Sequence, residues 1–148
     1  MKRIILSGGG TGGHIYPAVA VAEALKRKFG EEVELLFVGA EGKMEMEKVP
    51  ALGYNIKGLP VAGLQRKFSL KNFALPFKVA ASVRRAKRII REFNADIVVG
   101  FGGYASAPVL WAAQRLGVPT LFQEQNSYAG LTNKLLSNRA KRICVSYD

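Results

Sequence analysis

The chain has 148 residues, 49% apolar and 22% charged, which suits one globular domain with a buried core and excludes a disordered or fibrous protein. No apolar run approaches the roughly 20 residues that cross a bilayer, and the first residues lack the pattern of a signal peptide. The single cysteine excludes an internal disulfide. A cytoplasmic location is therefore expected. The net charge is +11, and eleven lysines and arginines but no acid lie between Glu47 and Glu92, which favours an anionic partner over a merely solvated basic face.

Short β-rich runs alternate with helical stretches along the chain. Strands are predicted at residues 2–7, 33–38, 54–59, 96–100, 119–122 and 141–145. Helices are predicted at residues 15–29, 43–52, 71–93, 105–116 and 131–137. Single helices between strands imply parallel crossovers, so the predicted fold is α/β with a doubly wound, Rossmann-like sheet.

Three loops of unusual composition follow predicted strands, at residues 8–14, 102–104 and 123–130. Ligands of doubly wound sheets bind beyond the carboxyl ends of the strands. The three loops are therefore predicted to line one crevice.

The first loop holds five glycines and leads into a helix. This pattern is typical of a backbone site for phosphate or pyrophosphate, whereas the alternative is a tight turn without a ligand. Gly8, Gly10 and Gly13 match the dinucleotide fingerprint, but the carboxylate that should close strand two fits poorly, since Glu41 comes late. No P-loop sequence is present.

His14 is the only histidine and follows the last of these glycines. The positive end of the helix favours a neutral imidazole there, which can accept a proton or bind a ligand. The alternative is a capping or packing histidine. We expect a functional role because of the adjacent glycine loop.

The other two loops also carry candidate site residues. Gly102, Gly103 and Tyr104 open a helix and form a second candidate anion site, or else a hinge with a packed tyrosine. After strand five, Glu124 could act as a base and Asn126 could bind a sugar or phosphate, although a surface turn is also possible.

The long basic helix is predicted to have two distinct faces. Its inner stripe, expected to face the sheet, contains Val79, Val83, Ala86, Ile90 and Phe93. The outer face, if the helix continues through Pro76, contains Leu70, Phe73, Phe77, Arg84, Arg88 and Arg91. Aromatic and basic side chains together suit the headgroup region of an anionic membrane. Packing against a partner domain is the alternative, and the absence of RNA-binding motifs disfavours nucleic acid.

In this order, the motifs resemble those of the N-terminal half of the MurG-type N-acetylglucosaminyltransferases of peptidoglycan synthesis. The matching residues are Gly9-Gly10-Thr11-Gly12-Gly13-His14, Pro17, Met44-Glu45, Val49-Pro50, Gly102-Gly103-Tyr104, Glu124-Gln125-Asn126 and the run from Ala129 to Lys134. The resemblance implies that residues 1–148 form the acceptor-binding, Rossmann-like half of a GT-B glycosyltransferase. Such an enzyme transfers N-acetylglucosamine from UDP-N-acetylglucosamine to the muramoyl 4-hydroxyl of undecaprenyl-pyrophosphoryl-muramoyl-pentapeptide (lipid I), giving lipid II with inversion.

The resemblance also implies roles for individual residues. Donor contacts would fall to Thr11, Gly12, Gly13 and Asn126. The two glycine loops, with Gly10, Gly102, Gly103 and Ser106, would hold the acceptor diphosphate. Acceptor activation or positioning would fall to His14, Tyr104 and Glu124, with His14 the first choice as base and Glu124 the second. Neither metal nor cofactor is implied.

The expected location is peripheral, at the cytoplasmic face of the bacterial inner membrane. Because the family's C-terminal donor domain is missing from these 148 residues, we expect the chain alone to be inactive. One alternative is a stand-alone subunit that docks a separate donor domain at the membrane. Another is an NAD-dependent oxidoreductase.

Overall fold

The computed structural model describes residues 1–61, 75–103, 105–125 and 131–146. The strands are β1 (Lys2–Ser7), β2 (Val33–Ala40), β3 (Ile56–Leu59), β4 (Ile97–Gly100), β5 (Thr120–Glu124) and β6 (Arg142–Val145). The helices are α1 (Gly12–Phe29), α2 (Glu45–Ala51), α3 (Leu75–Phe93), α4 (Ser106–Arg115) and α5 (Leu131–Leu136).

The six strands form one parallel sheet in the order β3-β2-β1-β4-β5-β6. This arrangement confirms the predicted doubly wound α/β fold. The strand order reverses between β1 and β4, so the loops that follow these two strands flank the crevice where such sheets bind ligands.

The sheet is covered on both faces, and alternate residues of each strand supply two separate cores. On one face, Ile4 and Leu6 pack with the inner side of α1, which contributes Ile15, Ala18, Val19 and Ala22. On the other face, Ile5 packs with residues of α3 and α4, among them Ala86, Ile90 and Leu110. The helices are therefore held by burial of their apolar sides.

Helix α3 extends beyond the body of the domain at its N-terminal end. Ala86 and Ile90 are buried and Val83 and Phe93 are partly buried, as predicted, but Val79 is 41% exposed. The prediction for Val79 was wrong because periodicity places it on the inner stripe, whereas residues 76–81 are all exposed and burial of the helix begins at Ser82. The predicted start of this helix at residue 71 lies outside the described residues.

The direction of α3 relates its free end to the ligand-binding edge. Its C-terminal end leads into β4, so its N-terminal end lies toward the carboxyl edge of the parallel sheet. Arg85 binds Glu41, directly after β2, at 2.9 Å. Phe77 comes eight residues earlier, which places it about 12 Å further along the helix axis. Within the described residues, no helix is long and apolar enough to cross a membrane.

Candidate functional site

The loop after β1 and the loop after β4 lie in direct contact. We call residues 8–11 loop 1 and residues 101–105 loop 2. A Cβ built on Gly103 would collide with the carbonyl oxygen of Gly9, and one on Gly102 would lie 2.9 Å from Cδ2 of His14. The predicted proximity of the two glycine loops is therefore confirmed. Their close approach depends on the missing side chains at Gly102 and Gly103.

His14 lies in the first turn of α1 with its ring against loop 2. Its Nδ1 is 3.0 Å from the hydroxyl oxygen of Thr11, the residue that precedes the helix. Among the described residues, Nε2 has no hydrogen-bond partner. The imidazole is half-buried, with Cδ2 and Nε2 on the side of Gly102. The Thr11 hydroxyl bonds the ring rather than capping a backbone N–H.

The start of α1 also provides backbone donors. The N–H groups of His14 and Ile15 bond to the carbonyl of Thr11, whereas those of Gly12 and Gly13 precede the first helical bonds. Thr11 and Gly13 are exposed. Together with the helix dipole, the N–H groups of Gly12 and Gly13 can bind an oxyanion beside His14.

Gly10 is exposed, but its N–H does not point to the crevice. It donates to both carboxylate oxygens of Glu45, at 3.3 and 3.1 Å. The Gly10 N–H is therefore already paired, whereas the N–H groups of Gly12 and Gly13 at the start of α1 stay candidates for a phosphate.

Gln125 links helix α1 to loop 2. Its Nε2 donates to the carbonyl of Gly13 at 2.7 Å and to that of Phe101 at 3.3 Å. Pro17, four residues after Gly13, has no N–H to give to that carbonyl. The Gln125 side chain thus supplies the hydrogen bond that Pro17 cannot, and it fixes the end of β5 against both other loops.

Two further predicted site residues, Ser106 and Glu124, are buried and so have little access to a substrate. Ser106 is fully buried, and its hydroxyl donates to the carbonyl of Gly103 at 3.0 Å, so its side chain supports loop 2. Glu124 is 5% exposed at the carboxyl end of β5. Of the two predicted bases, His14 is therefore the more accessible.

Several predicted residues lie outside the described residues. Tyr104 and Asn126 belong to the crevice prediction, and Leu70 and Phe73 to the membrane prediction. The described members of the predicted membrane face are Phe77, 78% exposed, and the exposed Arg84, Arg88 and Arg91.

The end of β2 differs from that of a dinucleotide-binding domain. The strand ends at Ala40, and the next carboxylate, Glu41, is paired with Arg85 on α3. The space between Gly9 and Gly39, at the ends of β1 and β2, is filled by the side chain of Glu45. A ribose hydroxyl would need a free carboxylate at this place, so the arrangement disfavours the oxidoreductase alternative.

Sequence reasoning missed the roles of Glu45, Gln125 and Trp111. Glu45 and Gln125 were noted as part of motifs but without a function. Trp111 on α4 is 37% exposed, and the cations of Lys87 and Arg115 lie over its ring at 5.7 and 4.8 Å. A signal for Gln125 was Pro17, which leaves a helical carbonyl without its usual donor. In the parts of the chain that the structure describes, no group of three or more His, Cys, Asp or Glu residues could hold a metal ion.

Comparison with known proteins agrees with this geometry. Residues 4–145 match the family described as "Glycosyltransferase family 28 N-terminal domain". The chain is 62% identical over 146 residues to the UDP-N-acetylglucosamine--N-acetylmuramyl-(pentapeptide) pyrophosphoryl-undecaprenol N-acetylglucosamine transferase of Cytophaga hutchinsonii. It is 60% identical over 146 residues to the protein of the same name from Phocaeicola vulgatus. Each match covers 99% of this chain but only 39% of the relative.

One solved structure supports the same assignment, and a second shows the same fold. The crystal structure of Acinetobacter baumannii MurG superposes with a TM-score of 0.87 at 32% identity, covering 100% of this chain and 42% of that one. The UDP-GlcNAc 2-epimerase of Neisseria meningitidis, bound to UDP-GlcNAc, has a TM-score of 0.64 at 14% identity, covers 97% of this chain and 39% of its own, and shows the fold alone. The resemblance seen in the motifs is thereby confirmed: the chain belongs to glycosyltransferase family 28 and contains the family's N-terminal domain.

Proposed function

We propose that this chain is the acceptor-binding half of an inverting glycosyltransferase that transfers N-acetylglucosamine from UDP-N-acetylglucosamine to lipid I. The observation that carries the proposal is His14, whose half-buried imidazole lies at the contact between loops 1 and 2, in the first turn of α1. The names of the relatives at 62% and 60% identity support the choice of donor and acceptor.

In the proposed reaction, the muramoyl 4-hydroxyl attacks the anomeric carbon of the donor sugar. The bond from that carbon to the UDP oxygen breaks, and UDP leaves with the electron pair. The attacking hydroxyl passes its proton to a base, which we assign to Nε2 of His14. In the tautomer that leaves Nε2 unprotonated, Nδ1 carries the proton and donates to the Thr11 hydroxyl, which orients the ring.

The surroundings of His14 fit this role. The first N–H groups of α1 and its positive dipole end favour a diphosphate close to the ring. A bound anion would stabilise the imidazolium that forms when the proton is transferred. Glu124, which is 5% exposed, has less access to an attacking hydroxyl, so it stays the second choice as base.

We propose further that the outer face of α3 docks on the anionic cytoplasmic surface of the inner membrane. Phe77 is 78% exposed, and the exposed Arg84, Arg88 and Arg91 lie on the same side of the helix. The exposed Trp111, with its two cations, adds an aromatic side chain to this basic region. The free end of α3 points beyond the carboxyl edge of the sheet, where the loops would receive a lipid-linked diphosphate.

The chain spans about 39% of the length of the curated relatives it matches, and we propose that the donor nucleotide is held mainly by the remaining part of such proteins. We therefore expect no transfer by the 148 residues alone. The proposed transfer is tested in a chimera. In it, this chain replaces the matching 146 residues of the Cytophaga hutchinsonii protein. The measurement is transfer of labelled N-acetylglucosamine to lipid I.

The chimera should be active, and His14→Ala should lower its kcat by about 10²- to 10⁴-fold. Glu23→Gln, an exposed change on the same helix, should leave kcat unchanged and serves as the matched control. A folded chimera without transfer would contradict the proposed reaction, and a His14→Ala variant within twofold of the parent would exclude His14 as the base. Activity restored by a separately supplied C-terminal part would favour the docking-subunit alternative.

A further inference from the structure

Glu45, the first residue of α2, is fully buried and is one of the largest side chains in the interior. A carboxylate is costly to bury unless hydrogen-bond donors satisfy it. Within the described ranges of the chain, the two ion pairs are Arg3–Glu34 and Arg85–Glu41, and neither includes Glu45. Its stabilisation must therefore come from backbone donors.

Two peptide N–H groups from different strand ends supply these hydrogen bonds. The N–H of Ala40, the last residue of β2, donates to Oε1 at 2.9 Å. The N–H of Gly10 donates to Oε1 at 3.3 Å and to Oε2 at 3.1 Å. Since an ionised carboxylate is an acceptor at both oxygens, it can bond both N–H groups at once. Glu45 thus ties loop 1 to the end of β2.

Two glycines provide the space for this carboxylate. A Cβ on Gly39 would lie 2.5 Å from Cγ of Glu45, and a Cβ on Gly9 would collide with the carboxylate itself. The sequence pattern suggested that the glycines of loop 1 allow close approach of a ligand. At Gly9, however, the group that lies against the backbone is the carboxylate of Glu45 and not a ligand.

The bonded N–H belongs to the residue directly before Thr11, whose hydroxyl bonds His14. A short chain of contacts therefore connects the buried carboxylate to the imidazole. Glu45 binds the Gly10 N–H, Gly10 is bonded to Thr11, and the Thr11 hydroxyl binds His14. A change in the direction of the Gly10 N–H would rotate the Gly9–Gly10 peptide, and the altered dihedral angles of Gly10 would then shift Thr11.

We infer that Glu45 is a positioning residue that sets the conformation of loop 1 and, through Thr11, the orientation of the His14 imidazole. It does not touch substrate in this arrangement. Its effect on catalysis rests on the proposed function, whereas its effect on the His14 ring does not.

The test uses the imidazole Hε1 signal of His14, which is the only histidine, so this signal needs no assignment among residues. In Glu45→Gln, the amide NH₂ can only donate, so either Ala40 loses its acceptor or Gly10 keeps only the longer, 3.3 Å bond. We expect the His14 ring resonance to move and the Gly10 or Ala40 amide proton to exchange faster with solvent. Glu47→Gln removes the same charge from an exposed position of α2 and should change neither.

An unmoved His14 resonance in folded Glu45→Gln would overturn the inference, even if the melting temperature falls. If Glu45→Gln does not fold, the same criterion applies to Glu45→Asp, which keeps the carboxylate on a shorter side chain. In the active chimera, Glu45→Gln should lower kcat by up to about 100-fold with little change in KM for the donor. A chimera without activity would refute the proposed function and leave the NMR result standing.

Discussion

Gly103 shows most clearly how single residues shape the crevice. Its φ is +86°, a conformation that costs a residue with a side chain roughly 1–2 kcal/mol. Its Cα also faces the carbonyl of Gly9, with no room for a methyl group. Backbone strain and lost contact between the loops are therefore two separate consequences of any substitution here.

Gly103→Ala should consequently destabilise the domain more than Gly117→Ala. Gly117 has a similar φ of +73°, but nothing lies within 4 Å of an added Cβ, so this variant measures the strain alone. We expect Gly117→Ala to lower the free energy of unfolding by about 1–2 kcal/mol, and Gly103→Ala by more, as measured by urea denaturation. Equal losses would show that the loops do not press against each other at this point.

Gln125 illustrates why part of the site was not foreseen at the level of residues. The sequence shows that Pro17 leaves the Gly13 carbonyl without a helical donor, but it does not show which side chain will replace it. That depends on β5 lying beside β4, so that residue 125 reaches both Gly13 and Phe101. Glu45 is a similar case, because an acid in a short helix ordinarily faces solvent.

Among the elements, helix α3 connects the proposed membrane surface with the crevice. Arg85, in the middle of the helix, pairs with Glu41 at the carboxyl edge of the sheet, and the exposed residues 76–81 precede it. Such an exposed ion pair contributes little stability, so the helix is held chiefly by Ala86, Ile89 and Ile90 in the core. Its basic outer face stays available to an anionic surface.

Flotation with anionic liposomes tests this role of α3. Phe77→Ser should weaken binding about tenfold, since insertion of the exposed ring is lost. Arg88→Gln should weaken it about fivefold, which corresponds to ~1 kcal/mol per cation near such a surface. Leu52→Ser is the control, because Leu52 is also exposed, at 52%, but directly follows α2 and does not belong to α3. If all three variants float like the parent chain, Phe77 packs against protein instead.

The order of elements could be read almost completely from the sequence, because apolar runs and glycines mark the strand ends. The first strand was predicted with its observed bounds, Lys2–Ser7. Errors arose where neighbouring elements decide the outcome. Helix α1 begins at Gly12 rather than at residue 15, because the glycines adopt helical geometry once Thr11 stands in front of them. Strand β2 continues to Ala40 because β3 pairs with its end.

At the scale of the whole molecule, the fold explains why distant loops form one site. Residues 8–14, 102 and 103, and 125 lie far apart in the sequence, but the strands β1, β4 and β5 that precede them are neighbours in the sheet. The doubly wound topology brings their carboxyl ends together at the point where the strand order reverses. The net charge of +11 then favours anionic ligands at this edge and on the outer face of α3.

The central claim is that this crevice binds the diphosphate of a lipid-linked sugar beside His14. The most direct measurement is a titration of the chain with a short-chain muramoyl-pentapeptide diphosphate, followed by the ring resonance of its only histidine. We predict a saturable shift of that resonance, a smaller response to inorganic pyrophosphate, and loss of the response in Gly103→Ala. An unchanged His14 resonance at saturating concentrations of the acceptor analogue would contradict the account.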